Sequence, residues 1–177
     1  MEKKMFRDLS KKEKKAKLLN VLIQKTQGKL SNEELEKIVN SVDIDKQYKI
    51  YVYDNPKEFA EKITLTDHEI RHSWAGGEGT FEEAQIIIGE DIEFGKDYAY
   101  QYSNNGNIET DEKQIIEPNF DITQIYVITV DRHEWRKWEG TYPMYDYYEY
   151  DLVIYLPEKD YEFSEELRYI LENFNIN

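Results

Sequence analysis

Residues Tyr145 to Leu156 read YDYYEYDLVIYL, and their period-two alternation decides the fold. Tyr148, Tyr150, Leu152, Ile154 and Leu156 fall on one side of an extended chain. Tyr147, Glu149, Asp151, Val153 and Tyr155 fall on the other, as the pleat of a strand requires. A second long extended stretch, Ile122 to Trp135, precedes it, and the two are joined through Gly140 and Pro143. Strands that follow one another across a Gly- and Pro-containing turn predict an antiparallel pair. Downstream, Ser164 suits the cap of a last helix with Leu167, Ile170, Leu171 and Phe174 on its apolar side.

Upstream, Tyr48 to Tyr53 (YKIYVY) alternates like a strand. Asn55-Pro56 then opens a helix with proline at its first position. Phe59, Ile63, Ile70 and Trp74 share its apolar face, and Gly76-Gly77 ends it. A further helix is expected from Thr80 (TFEEAQIII) to Gly89. Strand-like residues follow at Tyr98 to Tyr102 and at Ile108, around a turn at Asn104-Asn105-Gly106-Asn107. Before all of these stand two helices. Ser10 with Glu13 and Ser31 with Glu34 are capping-box pairs. The first helix carries Ala16, Leu19, Leu22 and Ile23 and stops near Gly28; the second carries Leu35, Ile38 and Val39 to about Val42. The expected fold is α+β: two N-terminal helices, then an antiparallel sheet packed with helices. Residues 1–46 read as a basic helical segment and 47–177 as an acidic α+β domain.

Charge separates nearly the same two parts, with the division a few residues later. Through Lys49 there are 13 Lys or Arg against 8 Asp or Glu; from Ile50 onward there are 10 against 29. The first part carries +5 and the second −19, within a net −14. With 15 Tyr, 7 Phe and 3 Trp in 177 residues, the acidity belongs to a folded surface and not to a disordered chain. The absence of cysteine excludes disulfides, thiolate metal sites and cysteine nucleophiles. Lys3, Lys4 and Arg7 lead into no apolar run, and no stretch approaches the ~18 apolar residues of a membrane span. The expectation is a cytoplasmic protein of a bacterium or an infected host bacterium, without membrane contact. A field of this sign repels nucleic acid and attracts basic protein surfaces. Direct nucleic-acid contact is expected only through the helix holding Lys11, Lys12, Lys14, Lys15 and Lys17.

Two constellations carry candidate chemistry. The first is an acidic aromatic row. Glu149 and Asp151 stand two apart on one strand, with Tyr147 beside them, and Asp131 and Glu134 on the preceding strand would extend the row. Glu90, Asp91 and Glu93 would add to it from elsewhere. Carboxylates interleaved with tyrosines can replace phosphates in a basic groove and offer rings to arginine. The second is His68-Glu69-Ile70-Arg71-His72, which reads HExxH. On a helix, residues four apart share a face, so two imidazoles could hold one Zn²⁺ while Glu69 deprotonates its water.

The HEIRH segment resembles the zincin metallopeptidases, over about ten residues. Glu78 falls at the third-ligand position of the metzincin pattern, although that pattern has His there and Gly where this chain has Ala75. Glu82 or Glu83, on the following helix, would be the gluzincin-like choice. The resemblance implies a zinc hydrolase with Glu69 as catalytic base. The preferred expectation is different: a non-enzymatic acidic binding protein or inhibitor, with no cofactor. It would dock on a basic, nucleic-acid-handling protein such as a nuclease. In size and charge the chain is similar to the small acidic anti-CRISPR and antirestriction inhibitors of phages and mobile elements, which mimic nucleic acid.

Overall fold

The computed structural model describes residues 4–64, 71–73, 76–89, 96–97, 120–138, 145–158, 169 and 172–173. A 3₁₀ turn at Phe6–Asp8 leads to α1 (Lys11–Thr26) and α2 (Asn32–Ser41). Both helices begin in complete capping boxes: Ser10 and Ser31 accept from the backbone N–H of Glu13 and Glu34, whose carboxylates return to the caps. Gln27 (φ 52°) and Gly28 (φ 74°) turn the chain left-handed after α1. Then come β1 (Tyr48–Tyr53), α3 (Pro56–Ile63), β2 (Arg71–Ser73), β3 (Gly76–Ile88), β4 (Lys96–Asp97), β5 (Tyr126–Trp138) and β6 (Tyr145–Tyr155).

The strands form one sheet in the order β1-β6-β5-β3-β2, with β4 also on β3. The fold is α+β, as the sequence implies. The sheet is mixed, because β1 joins β6 in parallel while β2, β3, β4, β5 and β6 pair antiparallel. A parallel neighbour needs a long crossover, here the whole chain from Tyr53 to Tyr145, so no local turn announces it.

Helices lie on both faces. On one, Leu22, Leu30, Leu35, Ile38 and Val39 from α1, α2 and their connection pack on Val127, Leu152, Ile154 and Leu156. On the other, Phe59, Ala60 and Ile63 of α3 pack on Tyr126, Ile128, Val130, Val153 and Tyr155, with Phe120 completing the cluster. The basic helical segment thus contributes directly to the core of the acidic one. Strand alternation explains the division, since even and odd residues of β6 feed opposite clusters.

Two helical expectations give way to strands. The helix from Pro56 was expected to reach Gly76, but α3 stops at Ile63 and Arg71–Ser73 is a strand. Thr64 closes it: its hydroxyl donates to the Ala60 carbonyl at 2.6 Å and its backbone leaves the helical region. Three of the four residues in Ile63-Thr64-Leu65-Thr66 are β-branched, which lowers helix propensity. TFEEAQIII was expected to be a helix and forms most of β3, registered on β5 from Gly76 opposite Trp138 to Ile88 opposite Val127. Long cross-strand pairing overrides the helical preference of Glu-Glu-Ala. Strand β5 also starts later than expected, because Asp121-Ile122-Thr123 is a turn closed by Asp121 Oδ1. The expected last helix from Ser164, the strand-like Tyr98 to Tyr102, Ile108 and the turn at 104–107 lie outside the described residues, apart from helical 169, 172 and 173.

Gly89 ends β3 at φ 144°, and a Cβ there would meet the Tyr126 ring at 2.1 Å. Tyr126 is fully buried and its hydroxyl accepts from the Asp121 N–H, so the ring has nowhere to go. Gly89→Ala is therefore expected to lower stability by about 1–3 kcal/mol, read by urea denaturation.

Candidate functional site

Beyond the helices, the sheet continues as β3, β5 and β6. Strand β1 pairs with β6 only from Tyr150 to Tyr155. Among the described residues, Tyr145–Glu149 therefore has a strand neighbour on the β5 side alone. Tyr147 and Tyr148 sit in this stretch on opposite faces and are 38 % and 55 % exposed, whereas Tyr126 and Tyr155 are buried. The Tyr148 ring stacks on His133, its register partner, at 4.2 Å and 3° between planes. The Tyr147 hydroxyl donates to Glu149 Oε2 at 3.4 Å.

The carboxylates of the expected row do not form one row. Asp131 is in register with Tyr150 and Glu149 with Arg132, so Asp131 and Glu149 lie on opposite faces of the sheet. Each also has a cation of this chain. Glu149 takes the Lys49 ammonium at 2.8 Å and the Arg132 guanidinium at 3.7 Å. Asp131 takes Lys46 at 2.5 Å, and Lys46 also lies 4.9 Å from the centre of the Tyr150 ring. Asp151, placed by sequence at the partner surface, is only 1 % exposed. It pairs with Lys62 of α3 at 3.1 Å, under an ammonium 4.0 Å from the Tyr51 ring. Its second oxygen, Oδ1, is buried and has no hydrogen-bond partner among the described residues. Asp151 is thus a core carboxylate, because α3 covers its face of the strand.

Glu134 stands on β5 opposite Tyr147. Glu90, Asp91 and Glu93 lie outside the described residues. By sequence, Glu90 to Asn119 holds eight acidic residues and two lysines, so much of the body's charge is carried by the connection from β3 to β5.

The residues of the HEIRH constellation are placed as follows. His68 and Glu69 lie outside the described residues, and His72 is in β2 opposite Gly77. Because His72 is on a strand, the single helical face that the HExxH spacing presupposes does not reach it. Glu78, Glu82 and Glu83, expected on a turn and a following helix, are all in β3, opposite Arg136, Arg132 and Asp131. Among the described residues no three His, Asp or Glu side chains are grouped to hold a metal ion.

The lysines of α1 divide as well. Lys14 is buried and pairs with Asp45 at 2.9 Å, and Lys15 donates to Asn40 Oδ1 at 3.2 Å. Lys14 and Lys17 both approach the Phe6 ring, while Lys11 and Lys12 are exposed.

Sequence reasoning missed the site's cations and one cleft. Lys46, Lys49 and Lys62 each reach a candidate anion across 85 or more residues of chain, a separation that leaves no local signal. The cleft, about 230 Å³, opens between the end of α2 and the sheet. Asp43 and Lys46 form one wall, and Tyr48, Gln85, Thr129 and Asp131 the other. Burial first, and then the charges of Asp131 and Asp43, push the Tyr48 phenol well above its ordinary value. Burial alone would lower Lys46; the Asp131 hydrogen bond and charge, with Tyr150 and Asp43, hold it above 10.5 instead.

Glu149 is held below its ordinary 4.5, foremost by the Lys49 hydrogen bond, against burial and with help from the Lys49 and Arg132 charges. A carboxylate depressed in the folded state contributes its stability fully above the ordinary value and loses it as pH falls through the lowered one. Stability is therefore expected to fall below pH 4.5, and Glu149→Gln should flatten part of that fall in a pH series of urea denaturations.

Comparison of the chain with protein-family models, with curated proteins and with solved structures finds no match.

Proposed function

We propose that the protein is a non-enzymatic binding protein whose acidic body docks on a basic surface of a nucleic-acid-handling protein, in the manner of an anti-CRISPR or antirestriction inhibitor. The observation that carries this reading is the pair of exposed rings, Tyr147 and Tyr148, on a stretch of β6 that β1 leaves uncovered. Tyrosine presents a large rigid surface with a polar tip and is enriched at protein interfaces. In a body of net charge −19 the rings suit a partner rich in arginine and lysine. Steering comes from the whole body and not from a row of phosphate-like carboxylates, because Glu149, Asp131 and Asp151 are matched by Lys49, Lys46 and Lys62.

The test uses the immobilised protein against a bacterial lysate at low salt. Basic nucleic-acid-binding proteins should be retained, and Tyr147→Ala with Tyr148→Ala should weaken the purified complex at least ~10-fold, since anchoring aromatics are each worth about 1–2 kcal/mol or more. The double variant should melt within a few degrees of the parent. A complex as tight with the variant as with the parent would remove the tyrosines from the interface and the reading with them.

A further inference from the structure

We infer that the cleft between α2 and the sheet is a receptor for a guanidinium group, and that it takes an arginine side chain of the docked partner. The inference rests on the proposed docking function and names one contact within it. Three features favour a cation there. Asp43 and Asp131 both line the cleft, and among the described residues that line it only Lys46 opposes them. Helix α2 ends at Ser41 on its rim, and a helix C-terminus carries partial negative charge. Burial is the largest influence on the groups already inside, and beyond it Asp131 and Asp43 disfavour ionisation of Tyr48 and favour the charged form of Lys46.

Shape selects guanidinium over ammonium. Lys46 uses Asp131 Oδ2, and Asp43 Oδ1 accepts from the Asp45 N–H, so among the described residues these bonds leave the second oxygen of each carboxylate for another donor. A planar fork of five donors can serve two carboxylates at once, which a point-like ammonium does less well. The Tyr48 ring, set edge-on to Tyr150 at 6.3 Å, supplies an aromatic wall against which a flat cation stacks. The volume of about 230 Å³ accommodates the group together with water. The cleft opens on the sheet face that carries the Tyr148–His133 stack, since Asp131 and His133 are alternate residues of β5. One partner segment could therefore engage both.

The probe is N-acetyl-L-arginine amide, titrated into the ¹⁵N-labelled full chain. Saturable shifts are expected at the amides of Gln85, Thr129 and Asp131, with a Kd on the order of 1 mM for so small a ligand. The lysine analogue should bind several-fold more weakly. Asp43→Asn removes one carboxylate, and Gln85→Lys places a cation in the cleft from an exposed position; each should weaken binding at least several-fold without shifting the melting temperature. Absence of saturable shifts at those amides, an equal response to the lysine analogue, or full binding by both variants would overturn the assignment. If the arginine probe fails while Tyr147→Ala with Tyr148→Ala still breaks the partner complex, the cleft assignment falls and the docking function stands. If the probe binds and no basic partner is found, the reverse holds.

Discussion

Phe59→Ala is expected to destabilise the protein by about 3–5 kcal/mol, a large share of the roughly 5–15 kcal/mol that an ordinary domain has in total. Phe59 is fully buried and is the ring through which α3 joins the sheet. It meets Phe120 edge-on at 5.1 Å and lies nearly parallel to Tyr155 at 5.1 Å and to Tyr126 at 6.5 Å. The neighbours cannot collapse into the space left behind. The Tyr155 hydroxyl is tied to the Ile122 carbonyl at 2.7 Å and the Tyr126 hydroxyl to the Asp121 N–H at 3.0 Å. The cost should therefore include a cavity contribution beyond lost transfer energy, and Phe59→Leu should recover much of it. Chemical denaturation with both variants measures this directly. A loss below ~1 kcal/mol for the alanine variant would mean that α3 does not anchor this face.

The second large effect concerns Asp151 and Lys62. Lys62→Met should cost about 3 kcal/mol, at the lower end for a broken buried pair because Lys62 remains partly wetted. Among the described residues it leaves a carboxylate buried with neither oxygen paired to a cation, where one oxygen is already without a hydrogen bond. The cost arises mostly from the orphaned charge and not from the attraction lost. Adding Asp151→Leu to Lys62→Met should accordingly restore most of the stability, since a hydrophobic replacement of both partners is often neutral or better. A double-mutant cycle at neutral pH separates the two. If Lys62→Met is harmless, Asp151 is not held as a core carboxylate.

Legibility from sequence followed the range of the cause. The capping boxes at Ser10 and Ser31, the strand at Tyr48–Tyr53 and the alternation of β6 are set by neighbours within a few residues, and each is where the pattern places it. Strand β3 was not legible. Glu82-Glu83-Ala84 favours a helix locally, and the partner that makes it a strand is β5, about 50 residues onward. The candidate site shows the same limit. Alternation correctly puts Glu149 and Asp151 on one face of β6, but nothing local says that α3 covers Asp151 and leaves Tyr147 exposed. Nor does pattern reveal that Lys46, Lys49 and Lys62 return to neutralise the acidic strand. The cleft at Asp43, Tyr48 and Asp131 assembles from α2, β1, β3, β5 and the connection after α2, and has no sequence signature at all.

Under the proposed function, an acidic aromatic body is steered onto a basic partner. The most direct test is the association rate of the purified complex as ionic strength rises. Screening shortens to about 8 Å at physiological salt and about 3 Å at 1 M. The association rate is expected to fall ~10-fold or more across that range while dissociation changes little, the behaviour of steered association. An association rate indifferent to salt would contradict it.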